Sequence, residues 1–512
     1  MIIKNNVTSV LLLTLSVVAI TCAVYWQVFS FPFIQDDWAL LELFRTNDPI
    51  TQLIQIFNPS GKIFYRPLAQ AYILAMHALF GVNAIPFHIV AILLHIINSY
   101  LVALLIYAVV GDRLISYLSA LVYAAAIAIH LDPLAWAVGI YDLGGAFFFF
   151  ITMWCFISNK PILSALLYFT GCLFKESLIV LPLLLFSYPI LMQPSIPFIK
   201  RLKALILSKQ TILFSVAMIA ILLFKLPSGA SPLHFSATHP YVINLWGAHV
   251  TDNALKYIAW MSQSFFFLTP VSSASNIVLI YGLLVSLVVY RFRRQDSQFR
   301  RIAFFLFWIL VGLLPIIFLP NHTYRYYATY ALPAFIGLSL VLIKYSLLSL
   351  NARQNLITII MISVSLLGVF GSIFSGNKAY LEGLDQKTLS DGTNMLIRRA
   401  AFVKIVHDGL IANTPSLPSN AIIAIGNTDL WSFHKDSGPR IWYDNAAIRV
   451  YSLSDLKYEN GQPYISTPIE NQLQGYTGPT DKKVFVDPSN LFTFEVLGEK
   501  LIRINPQEMN KP

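Results

Sequence analysis

The chain has 512 residues, 56% of them hydrophobic and only 12% charged, with a formal net charge of +10. The charged fraction is about half that of a soluble protein of this length, which excludes a soluble enzyme and indicates a polytopic membrane protein. Alternating ten-residue strands are absent, which argues against a β-barrel, and Cys22, Cys155 and Cys172 all fall in apolar runs, which argues against a disulfide framework or a Cys-ligated metal.

Eleven apolar runs are read as membrane helices, at about 7–29, 84–109, 114–130, 140–157, 161–174, 177–192, 211–227, 275–290, 302–319, 329–349 and 356–374. Each is roughly 15–25 residues, enough to cross a ~30 Å hydrocarbon core. The first follows Lys4 and has no A-x-A-like site before Gln35, Asp36 and Asp37, so it reads as an uncleaved helix. With the N-terminus in the cytoplasm, the inner ends carry about twice as many Lys and Arg as the outer ends, as the positive-inside rule requires. Arg113, Lys160, Lys200, Arg201 and the basic run Arg291, Arg293 and Arg294 are among them. Cations placed this way anchor topology, so nucleic acid is not the expected partner.

This orientation puts three regions outside. The first is the loop 31–83, with amphipathic pieces at 39–44, 50–57 and 68–80 suited to the membrane interface. The second is the aromatic loop 227–274, which carries His234, His239 and His249 and a segment, 265–268, read as dipping into the bilayer. The third is everything after Phe374, where charge, Asn, Gly and Pro return. A helix at 403–411 and short strands at 421–425, 447–451, 484–486 and 491–496 are expected there. The expected architecture is all-α and polytopic over 1–375, with about eleven transmembrane helices, followed by a small extracytoplasmic α+β domain over 376–512. No catalytic motif stands out in that domain; residues 426–429 read as a loop.

Ionisable groups near membrane depth are costly and are functional candidates by default. Adjacent Asp36 and Asp37 sit where the first helix meets water; like charges side by side raise one pKa, which suits a general base, and the pair could also hold a divalent metal. Arg66, flanked by Tyr65 and Pro67, can pair bidentately with a phosphate. His88, His95 and Asn98 share one helix face, which suits helix–helix hydrogen bonding, with a metal site the minority reading. Near His130 and Asp132, Asp142 reads as a structural ion-pair partner or as a second carboxylate facing Asp36 or Asp37. Lys175 and Glu176 interrupt an apolar run, the one to neutralise an anion and the other to orient it. Arg325, beside Tyr326, reads as a clamp on a lipid phosphate or a sugar. No phosphate-binding Gly-rich loop, Ser-His-Asp order or H-E-x-x-H occurs. Paired carboxylates, outer cations and a lipid-facing cleft fit group transfer from a membrane phospholipid donor.

The ordered set of Asp36 and Asp37, Tyr65 to Leu68, Gly81, His88 and His95, His130 through Trp136 and Gly139 to Asp142, Lys175 and Glu176, and Arg325 with Tyr326 and Pro333 resembles the GT-C glycosyltransferases over roughly 30–335. Within them it looks most like the TMTC and protein O-mannosyltransferase-like branch. The resemblance implies an inverting transfer from a polyprenyl-phosphate-linked sugar, mannose among the candidates, to an acceptor hydroxyl on the outer face. It implies that Asp36 or Asp37 is the base, with Asp36 favoured, that Asp142 is a second acidic position, and that Arg66, Lys175 and Arg325 lie near the donor phosphate. Tyr65, His88, His130, Glu176 and Tyr326 support the site, and metal dependence stays open. Departures are Asp132 where the branch has Glu, Tyr141 where it has Arg, and the lack of tetratricopeptide repeats. The acceptor is therefore a glycan, a lipid or a protein, and a bacterial inner membrane is the expected location. The alternatives are a transporter or flippase, or a polymerase or ligase, of lipid-linked glycans; a transporter should show inverted repeats, and none is evident.

Overall fold

The computed structural model describes residues 7–45, 48–60, 62, 64–192, 197–225, 235–266, 271–292, 296–383, 395–467 and 482–505. Lys4, His234, Arg293, Arg294 and the 267–268 part of the segment expected to dip into the bilayer lie outside them.

The chain starts with α1 (Val7–Tyr25), then three short helices, α2 (Asp36–Arg45), α3 (Pro49–Phe57) and α4 (Pro67–Phe80). These three are the amphipathic pieces of the first loop. α3 starts where Asp48 accepts hydrogen bonds from the Ile50 and Thr51 amides at 3.0 Å, with Pro49 fixed for a first turn. α5 (Ile85–Val110) ends at Gly111, whose φ of +73° lets its N–H reach the Tyr107 carbonyl. α6 (Arg113–Ala125) is capped by Asp112, which also pairs with Lys344. α7 (Ile127–Ala135) contains Pro133 and meets α6 at a 52° bend. α8 (Ile140–Ile157) and α9 (Pro161–Phe174) follow, then α10 (Leu181–Met192), α11 (Phe198–Ile206), α12 (Lys209–Lys225), α13 (Ala248–Ser262), α14 (Ala274–Arg291), α15 (Asp296–Leu313), α16 (Leu332–Ser349) and α17 (Gln354–Gly383).

All eleven apolar runs are helical, but they do not all satisfy one length rule. Among the described residues, six helices are long and apolar enough to cross a membrane: α1, α5, α14, α16, α17, and α8 with the turn before it. The bent pairs α6–α7 and α11–α12 bring the number to eight. The other three runs fall short for visible reasons. Lys175 and Glu176 cut one apolar stretch into α9 and α10, and α15 carries Asp296, Arg300 and Arg301 within its 18 residues.

Residues 395–505 hold α18 (Met395–Asn413), α19 (Ser437–Trp442) and seven strands: β1 (Ile422–Gly426), β2 (Arg449–Ser452), β3 (Leu456–Glu459), β4 (Gln462–Thr467), β5 (Lys482–Phe485), β6 (Leu491–Leu497) and β7 (Lys500–Arg503). One sheet has the order β2-β1-β6-β7, with β1 parallel to both neighbours and β6–β7 an antiparallel hairpin; β3-β4-β5 is a separate antiparallel meander. The four expected strands are present. β3, β4 and β7 were not anticipated, although Asn460 and Gly461, both at positive φ, form the two-residue turn that joins β3 to β4.

Two large cores result. One fills the helical bundle around Tyr123, Phe149, Phe305 and Trp308. The other runs without interruption from the first loop (Phe33, Trp38, Leu41, Phe44) through Ile397 and Val403 of α18 to Ile423, Phe433 and Phe494. Polar contacts reinforce this second core. Arg440 donates to Glu42 at 2.9 Å, to Asp436 at 2.7 Å and to the Ile448 carbonyl at 2.9 Å; Ser437 donates to Glu42 at 2.6 Å, and Arg45 pairs with Asp444 at 2.5 Å.

Replacing Arg440 with Ala leaves Glu42 and Asp436 without their common cation. The expected outcome is about 2 kcal/mol of lost stability, seen as a lower unfolding midpoint and faster protease release of the segment beyond residue 383.

Candidate active site

The break between α7 and α8 carries a single 3-10 turn, Ala137–Gly139. Its leading amides have no helical partner, as at any helix start. Asp37 supplies one: Oδ1 accepts from the Val138 amide at 2.9 Å, and Oδ2 from Ala137 at 3.3 Å and from Ile34 at 3.0 Å. Gly139 is required here because a Cβ would collide with the Pro133 backbone. Asp37 is only 3% exposed, and burial pushes its carboxyl up to about 7 against the pull of those three N–H donors, with a smaller push from Asp36. All three partners are donors, so they specify a carboxylate.

Asp36, one residue earlier, is open to a cavity of about 280 Å³. It follows Gln35, a non-glycine residue at φ +55° whose amide donates to the Ser432 carbonyl at 2.8 Å. A left-handed residue held in place by its surroundings is a common mark of a functional site. Burial raises the Asp36 carboxyl from its ordinary value, and His434 and Arg399 pull it back. Asp132 lines the same cavity, and among the described residues neither carboxylate accepts a hydrogen bond or ion pair. Trp136, Tyr241, Tyr324 and Tyr326 form aromatic walls, and the Trp136 indole N–H has no partner among the described residues. His322 also faces in, its ring 4.1 Å from that of Tyr241; burial and then the charges of Lys175 and Arg66 lower its pKa to about 4, so it is neutral at pH 7. The remaining wall comes from the C-terminal region. Met395, Leu396, Arg399 and Trp431 close the cavity, and Asp429 positions two of them by accepting from Arg399 Nε at 2.7 Å and from the Trp431 amide at 3.1 Å.

A second cavity, about 270 Å³, adjoins the first and shares Tyr241. Its polar floor is the break between α9 and α10. Lys175 pairs there with Asp142, and Arg66 makes a bidentate pair with Glu176, Nε–Oε2 2.7 Å and Nη2–Oε1 2.5 Å. The Arg66 guanidinium also lies 4.7 Å from the Phe64 ring centre and 5.0 Å from that of Tyr141. Burial works against its charge, but Glu176 more than compensates and holds the pKa above the ordinary value. Ile179, Ile243, Pro315, Ile316 and Leu319 give this cavity an apolar wall.

The expected site residues therefore separate. Asp36, Arg66, Lys175, Glu176 and Tyr326 line the two cavities. Asp142 faces Lys175, and it is Asp132 that shares a cavity with Asp36. Arg325 lines neither cavity; it is exposed, with its guanidinium 5.7 Å from the Trp260 ring. Tyr65 donates to the Phe57 carbonyl at 3.0 Å. His88 braces the first loop against α7, its ring nitrogens 3.1 Å from the carbonyl oxygens of Phe31 and Leu134. His130 packs 4.5 Å from the rings of His95 and Tyr123 inside the bundle. Among the described residues no group of three or more His, Cys, Asp or Glu could hold a metal ion, so the Asp36–Asp37 pair gains no third ligand of these types. Sequence reading missed Tyr241, Arg399 and Trp431. The available signal was Asp429 two residues before Trp431, an Asx-turn pattern.

No family model matches the chain, and no solved structure matches it. Over 151 residues, 28% of the chain, it is 27% identical to protein O-mannosyl-transferase TMTC2 of Mus musculus, and it is 26% identical to the protein of that name from Homo sapiens. The match spans 18% of the length of each relative. The relationship to a glycosyltransferase is distant.

The two aspartates should part company on mutation. Asp37→Asn turns an NH₂ toward backbone N–H groups and is expected to cost about 2–3 kcal/mol of stability. Asp36→Asn has no such bond to lose and should unfold within a degree or two of wild type, about the shift of a surface change. Thermal unfolding of both purified variants checks this; equal midpoints would show that the Asp37 bonds do not stabilise the fold.

Proposed function

We propose that this chain is a membrane glycosyltransferase that moves a sugar from a polyprenyl-phosphate-linked donor to an acceptor hydroxyl. The observation that carries the reading is the pair of adjoining cavities: one pairs two cations with an apolar wall, the other presents two carboxylates that accept no hydrogen bond among the described residues. The distant similarity to a protein O-mannosyl-transferase supports the reaction class. The excess of Lys and Arg at the opposite helix ends supports an extracytoplasmic site.

In this reading the donor phosphate binds at Arg66 and Lys175, and its lipid lies along Ile316 and Leu319. The acceptor oxygen attacks the anomeric carbon from the neighbouring cavity in a single displacement, inverting that centre. Asp36 takes the hydroxyl proton. The bond between the anomeric carbon and the phosphate oxygen breaks, and its electron pair leaves on polyprenyl phosphate. The two cations stabilise the growing negative charge. Glu176 and Asp142 hold them in place beforehand, and Arg66 keeps Nη1 outside its bidentate pair as a first contact for phosphate. Asp37 keeps the loop in position and takes no proton.

Purified protein given a panel of radiolabelled polyprenyl-phosphate sugars tests this. Wild type should consume a donor and Asp36→Asn should lose about 10²–10⁴-fold in rate. Labelled lipid that crosses a proteoliposome bilayer without being consumed would replace the reading with a transporter. Arg66→Ala should lower kcat/KM for the donor about 100-fold.

The pH profile has a definite sign. Asp36 works unprotonated, so transfer is lost as the pH falls through its pKa. Burial raises that pKa, so the acid limb of kcat/KM should lie above the ordinary carboxylate range. Arg399→Gln removes a cation that lowers the pKa and should move the limb to higher pH; an unchanged limb would mean that another group is the base.

A further inference from the structure

The walls of the carboxylate cavity narrow the acceptor. Its aromatic surface comes from two parts of the chain: Trp136 and the tyrosines from the helical region, Trp431 from the C-terminal region. Trp431 is 37% exposed, is fixed at its amide by Asp429 and has Lys435 Nζ 5.5 Å from its ring centre. Indole and phenol faces carry partial negative charge and favour polarised C–H groups laid flat on them. The hydrogen-bonding groups of the same cavity include the carboxylate of Asp132 and the indole N–H of Trp136, neither of which has a hydrogen-bond partner among the described residues.

Other acceptor classes fit less well. A phosphate-bearing acceptor would meet the carboxylates of Asp36 and Asp132, and Arg399 Nε is turned to Asp429. An extended peptide is usually held through main-chain bonds to a strand edge, and the cavity is lined by side chains from helices and turns. A lipid tail needs a continuous apolar wall, which the adjoining cavity has. A volume of about 280 Å³ lies at the small end for ligand sites.

We propose that the acceptor is a neutral saccharide, stacked through one ring face on Trp431 and held by a hydroxyl on Asp132, so that another hydroxyl points at Asp36. This rests on the glycosyltransferase reading above and names its second substrate. Trp431 and Asp132 then set acceptor specificity, and the C-terminal region is half of the acceptor site.

The test uses full-length protein in detergent, a panel of methyl pyranosides and a Ser/Thr-containing peptide as competing probes. Saturation-transfer NMR reads binding, and a labelled polyprenyl-phosphate sugar reads transfer. Wild type should bind and glycosylate at least one pyranoside. Trp431→Ala and Asp132→Asn should each raise its KM about tenfold, the size of one stacking or hydrogen-bonding contact. Trp431→Phe keeps an aromatic face and should stay within about threefold of wild type. Transfer to the peptide alone, or a pyranoside KM that Trp431→Ala leaves unmoved, overturns the proposal. If wild type consumes no donor at all, the transferase reading falls separately. NMR then still decides: pyranoside signals lost in Trp431→Ala support a saccharide site, and no signals from any pyranoside overturn it.

Discussion

The carboxylate of Asp37 is the constraint on which the site depends. A helical span interrupted by Pro133 and restarted at Ile140 leaves amides in a place that water reaches poorly. One side chain from the first loop satisfies two of them and closes its own turn with a third bond. That sets the position of Asp36 and brings Trp136 and Asp132 to the same cavity. The neighbouring aspartates thus differ: Asp37 is taken up by backbone hydrogen bonds, and Asp36 is left open to the cavity.

The two cavities handle charge in opposite ways. Where cations gather, each already has a carboxylate, so little net charge is buried. Where Asp36 and Asp132 gather, neither makes an ion pair among the described residues, and Arg399 Nε is turned to Asp429. Tyr241 stands between. An incoming phosphate would therefore exchange partners with Glu176 and Asp142, whereas an incoming hydroxyl would meet acceptors that have none.

The hydrophobic runs were legible because a hydrocarbon core dictates length and composition, and all eleven became helices. Crossing the membrane is a stricter demand, which the Lys175–Glu176 break and the charges of α15 do not meet. The polar interruptions were also readable: Asp36, Arg66, Lys175 and Glu176 all reached the cavities. Their pairing was not. Arg66 and Glu176 are 110 residues apart, and Asp142 and Lys175 are 33 apart; nothing local says that these charges answer each other before any substrate. The same holds for Arg399 and Trp431, which carry no motif and gain meaning only when the C-terminal region folds onto the first loop. The Asn460–Gly461 hairpin is a different kind of miss, a plain local signal passed over in a region expected to be a small α+β domain.

The uninterrupted core between the first loop and the C-terminal region has a consequence for the order of assembly. Arg45 and Asp444 meet across 399 residues of chain. Contacts of that separation close late, after the intervening helices have entered the membrane. During synthesis α2 must therefore wait without its C-terminal partners, Trp442 against Trp38 and Arg440 against Glu42, while most of the protein is made. A ribosome that stalls after α17 but before Met395 leaves a chain with its spans made and its carboxylate cavity open on the side that Met395, Leu396, Arg399 and Trp431 close.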